Sequence, residues 1–259
     1  MDGLARRTSR ISATDGRTVI LAFDHGFGGA RHAGMQYPGT TLSECIVAGS
    51  DAVLTTPGLA RQYGDTLTGV GLVLTLDLAT GHEETAIREA VLLGAEMGKF
   101  IFTPWNPRSP DSLAQTRHMI SVAHDAGLPM MVEPIPVSFE DTSAHTPENI
   151  GKAAKMACEL DSDIVKMQFS GDVDSFQEIM STLYRPVVIL GGPGRNDERA
   201  VLQDIRHAMD AGAIGTTIGR NIWEHQRPAH MVAALAAIVH EDAPVDVAMR
   251  HLERSFVVA

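Results

Sequence analysis

The sequence is poor in cysteine and in long apolar runs, and each shortage narrows what the protein can be. Two cysteines, Cys45 and Cys158, occur in 259 residues, too few for a disulfide framework and consistent with a reducing cytoplasm. No run approaches the ~20 apolar residues of a transmembrane helix. Residues 1–7 lack the apolar stretch of a secretory signal. We therefore expect a cytoplasmic protein that does not act at a membrane.

Positive charge is also in short supply. Lysine and arginine together number 21, against 32 aspartates and glutamates, and the formal net charge is −11 at pH 7. Nucleic-acid-binding proteins usually present a basic surface, so this balance argues against a nucleic-acid partner. A phosphorylated substrate remains compatible with it, because a few donors focused in a pocket can outweigh the overall charge.

Lysine is the scarcer basic residue, with four examples at positions 99, 152, 155 and 166. Lys166 lies in the segment 163–169, Asp-Ile-Val-Lys-Met-Gln-Phe, which predicts a buried strand. Burying an ammonium is unfavourable unless it is paired or loses its proton. A neutral lysine amine is a nucleophile that can form a Schiff base. Lys166 is therefore a candidate Schiff-base residue; the alternative is a lysine whose ammonium reaches water from a strand end.

Short apolar runs alternate with helical patterns along most of the chain. Several runs are unbroken, as expected for parallel strands covered on both faces. Eight strands with intervening helices over about 250 residues predict one (β/α)8 barrel domain, residues 1–259, with 1–16 as a short lead-in. An open doubly wound sheet is the alternative, but the Gly-x-Gly-x-x-Gly that usually follows its first strand is absent. The predicted strands are Thr18–Phe23, Ala52–Thr55, Val70–Leu78, Phe100–Thr103, Met130–Val132, Ile164–Gln168, Val187–Leu190 and Ile214–Ile218.

Helix starts are marked in two places. Ser109-Pro110-Asp111 and Thr146-Pro147-Glu148 each supply an N-cap residue, a proline at the first helical position and an acid in the first turn. After Thr146, apolar residues at 150, 153, 154 and 157 share one helical face, and those at 201, 205 and 208 do so in a later helix that we expect to stop at Gly212. The pattern is weakest over residues 26–69.

Acidic residues stand at several predicted strand ends, where (β/α)8 enzymes carry their chemistry. Asp24 is a candidate general base, or the partner of Lys166 in a structural ion pair. Glu133 is either an acid/base group or an ordinary loop acid. His25 is either a proton shuttle or a histidine satisfied by backbone groups, and Asp77 is more typical of a structural residue.

Glycine-rich segments follow the last two strands. They read Gly191-Gly192-Pro193-Gly194-Arg195 and Gly219-Arg220-Asn221. Glycines let backbone N–H groups approach an anion, Arg220 adds a fixed charge, and these two loops commonly hold phosphate in such barrels. The alternative is that the glycines simply make tight turns. Two such loops in consecutive units favour a phosphate site.

The eleven histidines raise the question of a metal. The most suggestive is His82, which precedes Glu83 and Glu84. Neither His-x-His nor His-Glu-x-x-His occurs, so we expect no metal site.

A set of segments in this order resembles the DeoC/FbaB class I aldolase family, the archaeal-type fructose-bisphosphate aldolases and their relatives. The relatives include 2-amino-3,7-dideoxy-threo-hept-6-ulosonate synthase and the thiolase that acts on the phosphorylated autoinducer-2 breakdown product. The resemblance covers roughly residues 17–254 and is strongest over 147–254. The segments are Asp24-His25-Gly26, Asp163-Ile164-Val165-Lys166, Ser170-Gly171-Asp172, Asp174-Ser175-Phe176, Gly191-Gly192-Pro193 and Gly219-Arg220-Asn221-Ile222-Trp223.

The resemblance implies a (β/α)8 barrel in which Lys166 is the Schiff-base lysine and Asp24 an acid/base residue. It also implies that backbone groups around Gly191, Gly192 and Gly219, together with Arg220, hold a substrate phosphate. His25 is counted with these substrate-binding residues. Neither a metal nor an organic cofactor is expected, and assembly into a homo-oligomer is typical of the family.

The sequence departs from this family in two places. A Trp-x-Tyr-Pro segment usually ends strand five, and its tyrosine transfers protons; here the segment reads Glu133-Pro134-Ile135-Pro136. Ile135 cannot transfer protons, which makes Glu133 the candidate replacement. The usual Gly-Gly-Pro-Lys becomes Gly-Gly-Pro-Gly, followed by Arg195. Both changes argue against a housekeeping fructose-bisphosphate aldolase and leave the Schiff-base chemistry intact.

The main hypothesis is a class I aldolase that cleaves or forms a C–C bond in a phosphorylated ketose or related keto-phosphate. The alternative is a Schiff-base transferase that moves an acyl or ketol unit, as in a thiolase or a C7 amino-sugar-acid synthase. A third reading is a sugar-phosphate binder without catalytic activity.

Overall fold

The computed structural model describes residues 3–29, 32–77, 79 and 81–253, and its centre is a closed barrel of parallel strands. Each strand pairs with the next along the chain, and the eighth pairs with the first, which aligns Thr18 with Gly215. The predicted (β/α)8 fold is confirmed, and the closing pair excludes the open sheet. The strands are β1 Thr18–Ala22, β2 Ala52–Thr55, β3 Gly71–Thr75, β4 Met97–Phe102, β5 Met130–Pro134, β6 Ile164–Met167, β7 Val187–Leu190 and β8 Gly215–Ile218.

The strand bounds differ from the prediction mainly in the third, fourth and fifth strands. β3 ends at Thr75, and Leu78, predicted to end it, lies outside the described residues. β4 begins at Met97 instead of Phe100. β5 continues to Pro134, so Glu133 lies within the strand.

Helices follow the strands and pack around the barrel. Thr146 caps its helix as predicted, since its side chain accepts a hydrogen bond from the Asn149 N–H. The predicted cap at Ser109 is wrong: the helix begins at Ser112, because residues 109–111 form a turn first. The helices are α1 Gly3–Thr8, α2 Pro38–Val47, α3 Pro57–Gln62, α4 Gly64–Leu67, α5 Glu83–Leu92, α6 Ser112–Asp125, α7 Pro147–Glu159, α8 Val173–Thr182, α9 Glu198–Asp210, α10 Arg220–Trp223, α11 Pro228–Glu241 and α12 Val245–Glu253. Among the described segments, no helix has the length and apolar character needed to cross a bilayer.

Alternate strand residues point into the barrel and out towards the helices. The lead-in contributes to the interior, because Ile11 is fully buried there and its carbonyl accepts a hydrogen bond from the Thr18 hydroxyl (2.5 Å). A larger core lies between the strands and the helices, and it includes most of the predicted apolar faces of α7 and α9, all of whose residues are buried. The interior cluster consists of Ile11, Ile20, Ala22, Ala52, Leu54, Val73, Met97, Met131, Ile164 and Val188.

Carboxylates accept backbone N–H groups at the end of the barrel where the strands begin. Asp51 accepts from Val19 (2.6 Å), and it also contacts His240 Nε2 (3.0 Å). The other imidazole nitrogen of His240 lies 2.9 Å from Asp15. Its bonds to these two carboxylates outweigh the effect of burial and raise the pKa of His240 to about 9.

We expect His240 to make stability depend on pH. Because its pKa is higher in the folded than in the unfolded state, its stabilisation is fully present below about pH 6.5 and is lost as pH rises through about 9. The difference in unfolding free energy between wild type and His240→Asn should be about 2 kcal/mol at pH 6 and should vanish near pH 10. Urea unfolding at both pH values measures it, with His118→Asn, an exposed histidine on α6, as the matched control. A difference that does not change with pH would contradict this role.

Candidate active site

Charged side chains occupy the interior of the barrel at the end where the strands finish. Lys99, Glu133 and Lys166 each stand two residues after an interior apolar residue of the same strand, and Asp24 stands two residues after the end of β1. Because residues two apart in a strand share a face, their side chains point into the mouth of the barrel. All four are buried, with relative exposures of 3–5%.

Lys99 joins three carboxylates. Its ammonium lies 2.5 Å from Asp77 Oδ2, 3.1 Å from Glu133 Oε2 and 3.5 Å from Asp24 Oδ2. Asp77 is fixed in turn by the Thr75 hydroxyl (2.7 Å) and the backbone N–H of Ile101 (2.7 Å). Asp77 therefore anchors the cation, in keeping with the structural role favoured from the sequence.

Glu133 is placed between two lysines. Its Oε2 atom lies 3.1 Å from Lys166 Nζ and 3.1 Å from Lys99 Nζ. The structure thus brings the predicted Asp24, Glu133 and Lys166 together, with Lys99 between Asp24 and Glu133. Lys166 pairs with Glu133, whereas the ion pair of Asp24 is with Lys99.

The pKa values of these groups follow from their mutual charges. Burial alone would lower the pKa of Lys99, but Asp77, Glu133 and Asp24 outweigh it and hold that pKa well above its ordinary value. Burial would raise the pKa values of Asp24 and Glu133, yet the charges of Lys99 and Lys166 hold both below their ordinary values. At neutral pH the cluster therefore contains a permanent ammonium on Lys99 and ionised carboxylates on Asp24 and Glu133.

His25 lies between this cluster and the loop after β8. Burial, with the positive charges of Lys166 and Arg220, lowers the pKa of His25 to about 4, although Asp24 opposes the shift. Its Nδ1 atom is buried, lies 3.5 Å from Asp24 Oδ1 and has no hydrogen-bond partner in the described part of the chain. The structure thus places a neutral imidazole beside Asp24, with a buried nitrogen that is left unpartnered by the described residues.

Gly219 allows His25 to occupy this position. A Cβ atom on Gly219 would lie 2.6 Å from His25 Cε1 and 2.7 Å from the carbonyl oxygen of Ala22. The Trp223 indole fills the remaining space: its N–H donates to the same carbonyl (3.0 Å) and its ring contacts His25 edge-on. A larger residue at 219 would therefore displace the histidine from the mouth.

The two glycine-rich loops are joined by Asn221. Its Nδ2 donates to the Gly191 carbonyl (2.7 Å), and its Oδ1 accepts from the Arg195 N–H (2.8 Å). Gly192 has φ = 65° and open space around the position of a Cβ, so its backbone is accessible to a ligand. Arg220 carries a buried Nε–H that lacks a hydrogen-bond partner within the described ranges. The loops thus present free donors at the mouth.

Sequence reasoning missed Lys99 and Asn221 as site residues. Lys99 could have been identified from the sequence, because it is one of only four lysines and stands beside an apolar run. Asn221 was part of the Gly-Arg-Asn segment, but its role in joining the loops depends on the closure of the barrel. Ile135, which the resemblance places at the position of the family tyrosine, is fully buried.

The described residues contain no group of three or more histidine, cysteine, aspartate or glutamate side chains arranged to hold a metal ion. The two cysteines are buried and unpaired, and burial raises the pKa of Cys45 to about 12, which makes it a poor nucleophile.

Comparisons with known proteins find aldolases. A model of the DeoC/LacD family aldolases matches residues 18–225. The 2-amino-3,7-dideoxy-D-threo-hept-6-ulosonate synthase of Halobacterium salinarum is 32% identical over 95% of each chain. The class 1 fructose-bisphosphate aldolase of the same species is 29% identical over 91% of this chain and 95% of its own.

Solved structures of aldolases are also similar to this chain. An archaeal fructose 1,6-bisphosphate aldolase has a TM-score of 0.79 at 26% identity, over 92% of this chain and 99% of its own. A Schiff-base-forming fructose-1,6-bisphosphate aldolase, studied through its reaction intermediates, has a TM-score of 0.78 at 27% identity, over 92% and 100%. The predicted enzyme class, a Schiff-base aldolase, is confirmed by these relatives. The chain belongs to the DeoC/LacD family of aldolases.

Proposed function

We propose that Lys166 forms the Schiff base and that the substrate is a phosphorylated ketose or related keto-phosphate. The observation that carries the assignment is the position of Glu133 Oε2, 3.1 Å from both lysine ammonium groups. Lys99 is held by three carboxylates and keeps its proton, whereas Lys166 has one carboxylate partner to which its proton can pass. Lys166 is therefore the lysine that can become a neutral nucleophile.

Glu133 serves the formation of the Schiff base. It accepts a proton from the Lys166 ammonium, and the neutral amine attacks the substrate carbonyl carbon to give a carbinolamine. Glu133 then returns the proton to the carbinolamine hydroxyl, which leaves as water, and the iminium forms. A carboxylate 3.1 Å from the amine nitrogen is within reach for both transfers.

Asp24 serves the cleavage of the C–C bond. Its carboxylate accepts the proton of the hydroxyl on the carbon that becomes the aldehyde. The electrons of the broken bond pass to the iminium nitrogen and leave an enamine, which is then protonated and hydrolysed to release the ketone. The low pKa of Asp24 keeps it ionised, as a proton acceptor must be.

The phosphate is assigned to the loops after β7 and β8. The open backbone at Gly192 and the unpartnered Nε–H of Arg220 supply donors, while Gly191 and Gly219 let Ile218 and His25 pack closely against the backbone of the same two loops. His25 lies between this site and Lys166, where its neutral ring can donate to a substrate oxygen.

We expect Arg220→Ala to weaken binding of the phosphorylated substrate. Loss of a charge-assisted hydrogen bond should raise KM by about 10- to 100-fold, with a smaller fall in kcat. Steady-state kinetics with a phosphorylated ketose measures the effect. Arg195→Ala is the matched control, since Arg195 is bound to Asp204 (2.8 Å). Equal losses in the two variants would contradict the assignment.

Borohydride trapping tests the proposed nucleophile. Incubation with dihydroxyacetone phosphate and reduction should leave a stable adduct, read by intact mass and located on Lys166 by peptide mapping. An adduct on Lys99 would refute the assignment. If no adduct forms, a panel of other phosphorylated ketones separates a different donor from a wrong lysine.

A second candidate is a transferase of the same family, which would deliver an acyl or ketol unit to an acceptor. Two observations favour it: Ile135 stands where the family tyrosine is expected, and a C7 amino-sugar-acid synthase is 32% identical to this chain. Product analysis with and without coenzyme A, and with an acceptor aldehyde, distinguishes the two reactions.

We also propose that the enzyme is a single-domain, cytoplasmic homo-oligomer that works without a metal or an organic cofactor. The iminium on Lys166 is itself the electron sink, so the bond cleavage needs no divalent cation. Activity in excess EDTA should stay within about twofold of the untreated rate, whereas a metal-dependent aldolase would lose it. Reactivation by an added divalent cation would refute metal independence.

A further inference from the structure

A large cavity opens beside the lysine cluster. Its volume is about 1130 Å³, slightly above the roughly 300–1,000 Å³ of pockets that hold drug-sized ligands. It is formed by Thr75 at the end of β3 and by segments that follow the first three strands, including Gly26 and Thr56. By the strand order of the closed barrel, β6 and the glycine-rich loops after β7 and β8 lie outside the part of the mouth that follows β1, β2 and β3. None of the residues assigned to the phosphate is among the described lining residues of the cavity.

The cavity reaches the reacting groups through Thr75. The hydroxyl of this lining residue donates to Asp77 Oδ2 (2.7 Å), the same oxygen that accepts from Lys99 Nζ (2.5 Å). Gly26, also in the lining, is two residues from Asp24. A substrate with its phosphate at the β7 and β8 loops and its carbonyl on Lys166 would extend past Asp24 towards this cavity. The part released as the aldehyde thus lies here.

The described lining residues are mostly apolar and include no fixed cation. No lysine or arginine is among the described lining residues, whose ionisable members are Glu89, His32 and His82. Glu89 contributes negative charge. It forms an ion pair (2.5 Å) with Arg61, which is not one of the lining residues. A second phosphate would find no permanent positive charge among the described lining residues. The apolar side chains include Phe27, Met35, Leu59, Leu76, Ala79 and Ala86.

We propose that this cavity binds the aldehyde partner of the reaction, and that this partner is an unphosphorylated aldehyde with an apolar alkyl or aromatic body. The inference rests on the proposed Schiff-base function of Lys166. In the direction of synthesis, the Asp24 carboxylate takes a proton from the carbon next to the iminium, which gives the enamine. The enamine carbon then attacks the aldehyde carbon, and the aldehyde oxygen takes that proton from Asp24 to become a hydroxyl. Water then hydrolyses the iminium and releases the longer keto-phosphate.

The test compares aldehydes in the synthetic direction. The donor is dihydroxyacetone phosphate or, if it gives no Lys166 adduct, the phosphorylated ketone of the trapping panel that does. We expect kcat/KM for 3-phenylpropanal to exceed that for glyceraldehyde 3-phosphate by about tenfold or more, because the apolar body gains burial and the phosphate loses hydration. Binding of 3-phenylpropan-1-ol, which cannot react, is measured in parallel by calorimetry.

Two variants on α5 test whether the cavity determines the preference for an apolar aldehyde. Ala86→Trp fills the cavity from its wall and should lower the ratio of activities with 3-phenylpropanal and glycolaldehyde by about tenfold, and abolish calorimetric binding of the alcohol. Arg88→Trp places the same side chain on the exposed face of the same helix and should change neither value. Thermal unfolding checks that both variants fold.

The outcomes separate this inference from the proposed function. A Lys166 adduct with a preference for glyceraldehyde 3-phosphate, or a preference for 3-phenylpropanal that Ala86→Trp leaves intact, would overturn the inference and leave the Schiff base in place. Binding of the alcohol without any Lys166 adduct would overturn the proposed function and, with it, the role of the cavity as an aldehyde site.

Discussion

Replacement of Lys166 by methionine should abolish both the borohydride-stable adduct and C–C bond cleavage, while the protein remains folded. The expected loss in kcat is roughly 10⁴-fold or more, the scale seen when a covalent nucleophile is removed. Methionine matches the length of the lysine stem and suits a position that is 5% exposed. Glu133 keeps its other partner, Lys99, at 3.1 Å, so no buried carboxylate is left without a cation.

The matched control is Lys152→Met. Lys152 lies on the surface of α7, where it pairs with Glu148 one turn away (2.5 Å). Such exposed pairs contribute little to stability, so this variant should retain full activity. Single-turnover assays, trapping and thermal unfolding on both variants separate loss of chemistry from loss of fold. Full activity in Lys166→Met would refute the mechanism.

We assign the Schiff base to Lys166 instead of Lys99 because the charges around the two lysines differ. Their burial is nearly equal and does not distinguish them. An amine attacks a carbonyl only when it is neutral. Three carboxylates hold Lys99 in its charged form, with a pKa well above the ordinary value. Lys166 has a single carboxylate partner, and the positive charge of Lys99 stabilises that carboxylate. Lys99 is thus a positioning residue, which aligns Asp24 and Glu133 beside the proposed nucleophile.

The fold could be predicted because parallel barrel strands are covered on both faces and leave unbroken apolar runs in the sequence. The residues on the strand ends could be predicted for the same reason, since a strand of known bounds fixes which side chains reach the mouth. Asp24, Glu133 and Lys166 were found in this way. Their pairing could not be predicted, because it depends on the stagger of the strands and on the side-chain conformations.

The miss at Lys99 has a specific physical cause. The segment Met97-Gly98-Lys99 combines one apolar residue with a glycine and a lysine, which interrupts the pattern, so the strand was predicted to begin at Phe100. In the barrel, Lys99 is tolerated at a strand position because Asp77 and Glu133 compensate its charge. That compensation comes from neighbouring strands and is invisible to a local pattern. The rarity of lysine in this chain was the signal that could have revealed it.

Replacement of Lys99 by methionine should raise the pKa values of Asp24 and Glu133 and lower activity by about 10²- to 10³-fold. Both carboxylates must be ionised to accept protons, so a higher pKa means that activity is lost at a higher pH on the acid side. The acid limb of the kcat/KM profile should therefore move up by about one pH unit or more. Folding should weaken by about 3–5 kcal/mol, because buried carboxylates lose their cation.

Asp77→Asn distinguishes this electrostatic role from general damage to the barrel. Asp77 shares Lys99 with Asp24 and Glu133, through an ion pair of 2.5 Å. Neutralising Asp77 removes a nearby negative charge and leaves the Lys99 ammonium to Asp24 and Glu133. The pKa values of these two carboxylates should therefore fall. The acid limb of the kcat/KM profile should then move to lower pH. Structural damage would lower activity in both variants without moving the limb in opposite directions. Opposite shifts would thus identify Lys99 as the charge that keeps Asp24 and Glu133 ready to accept protons.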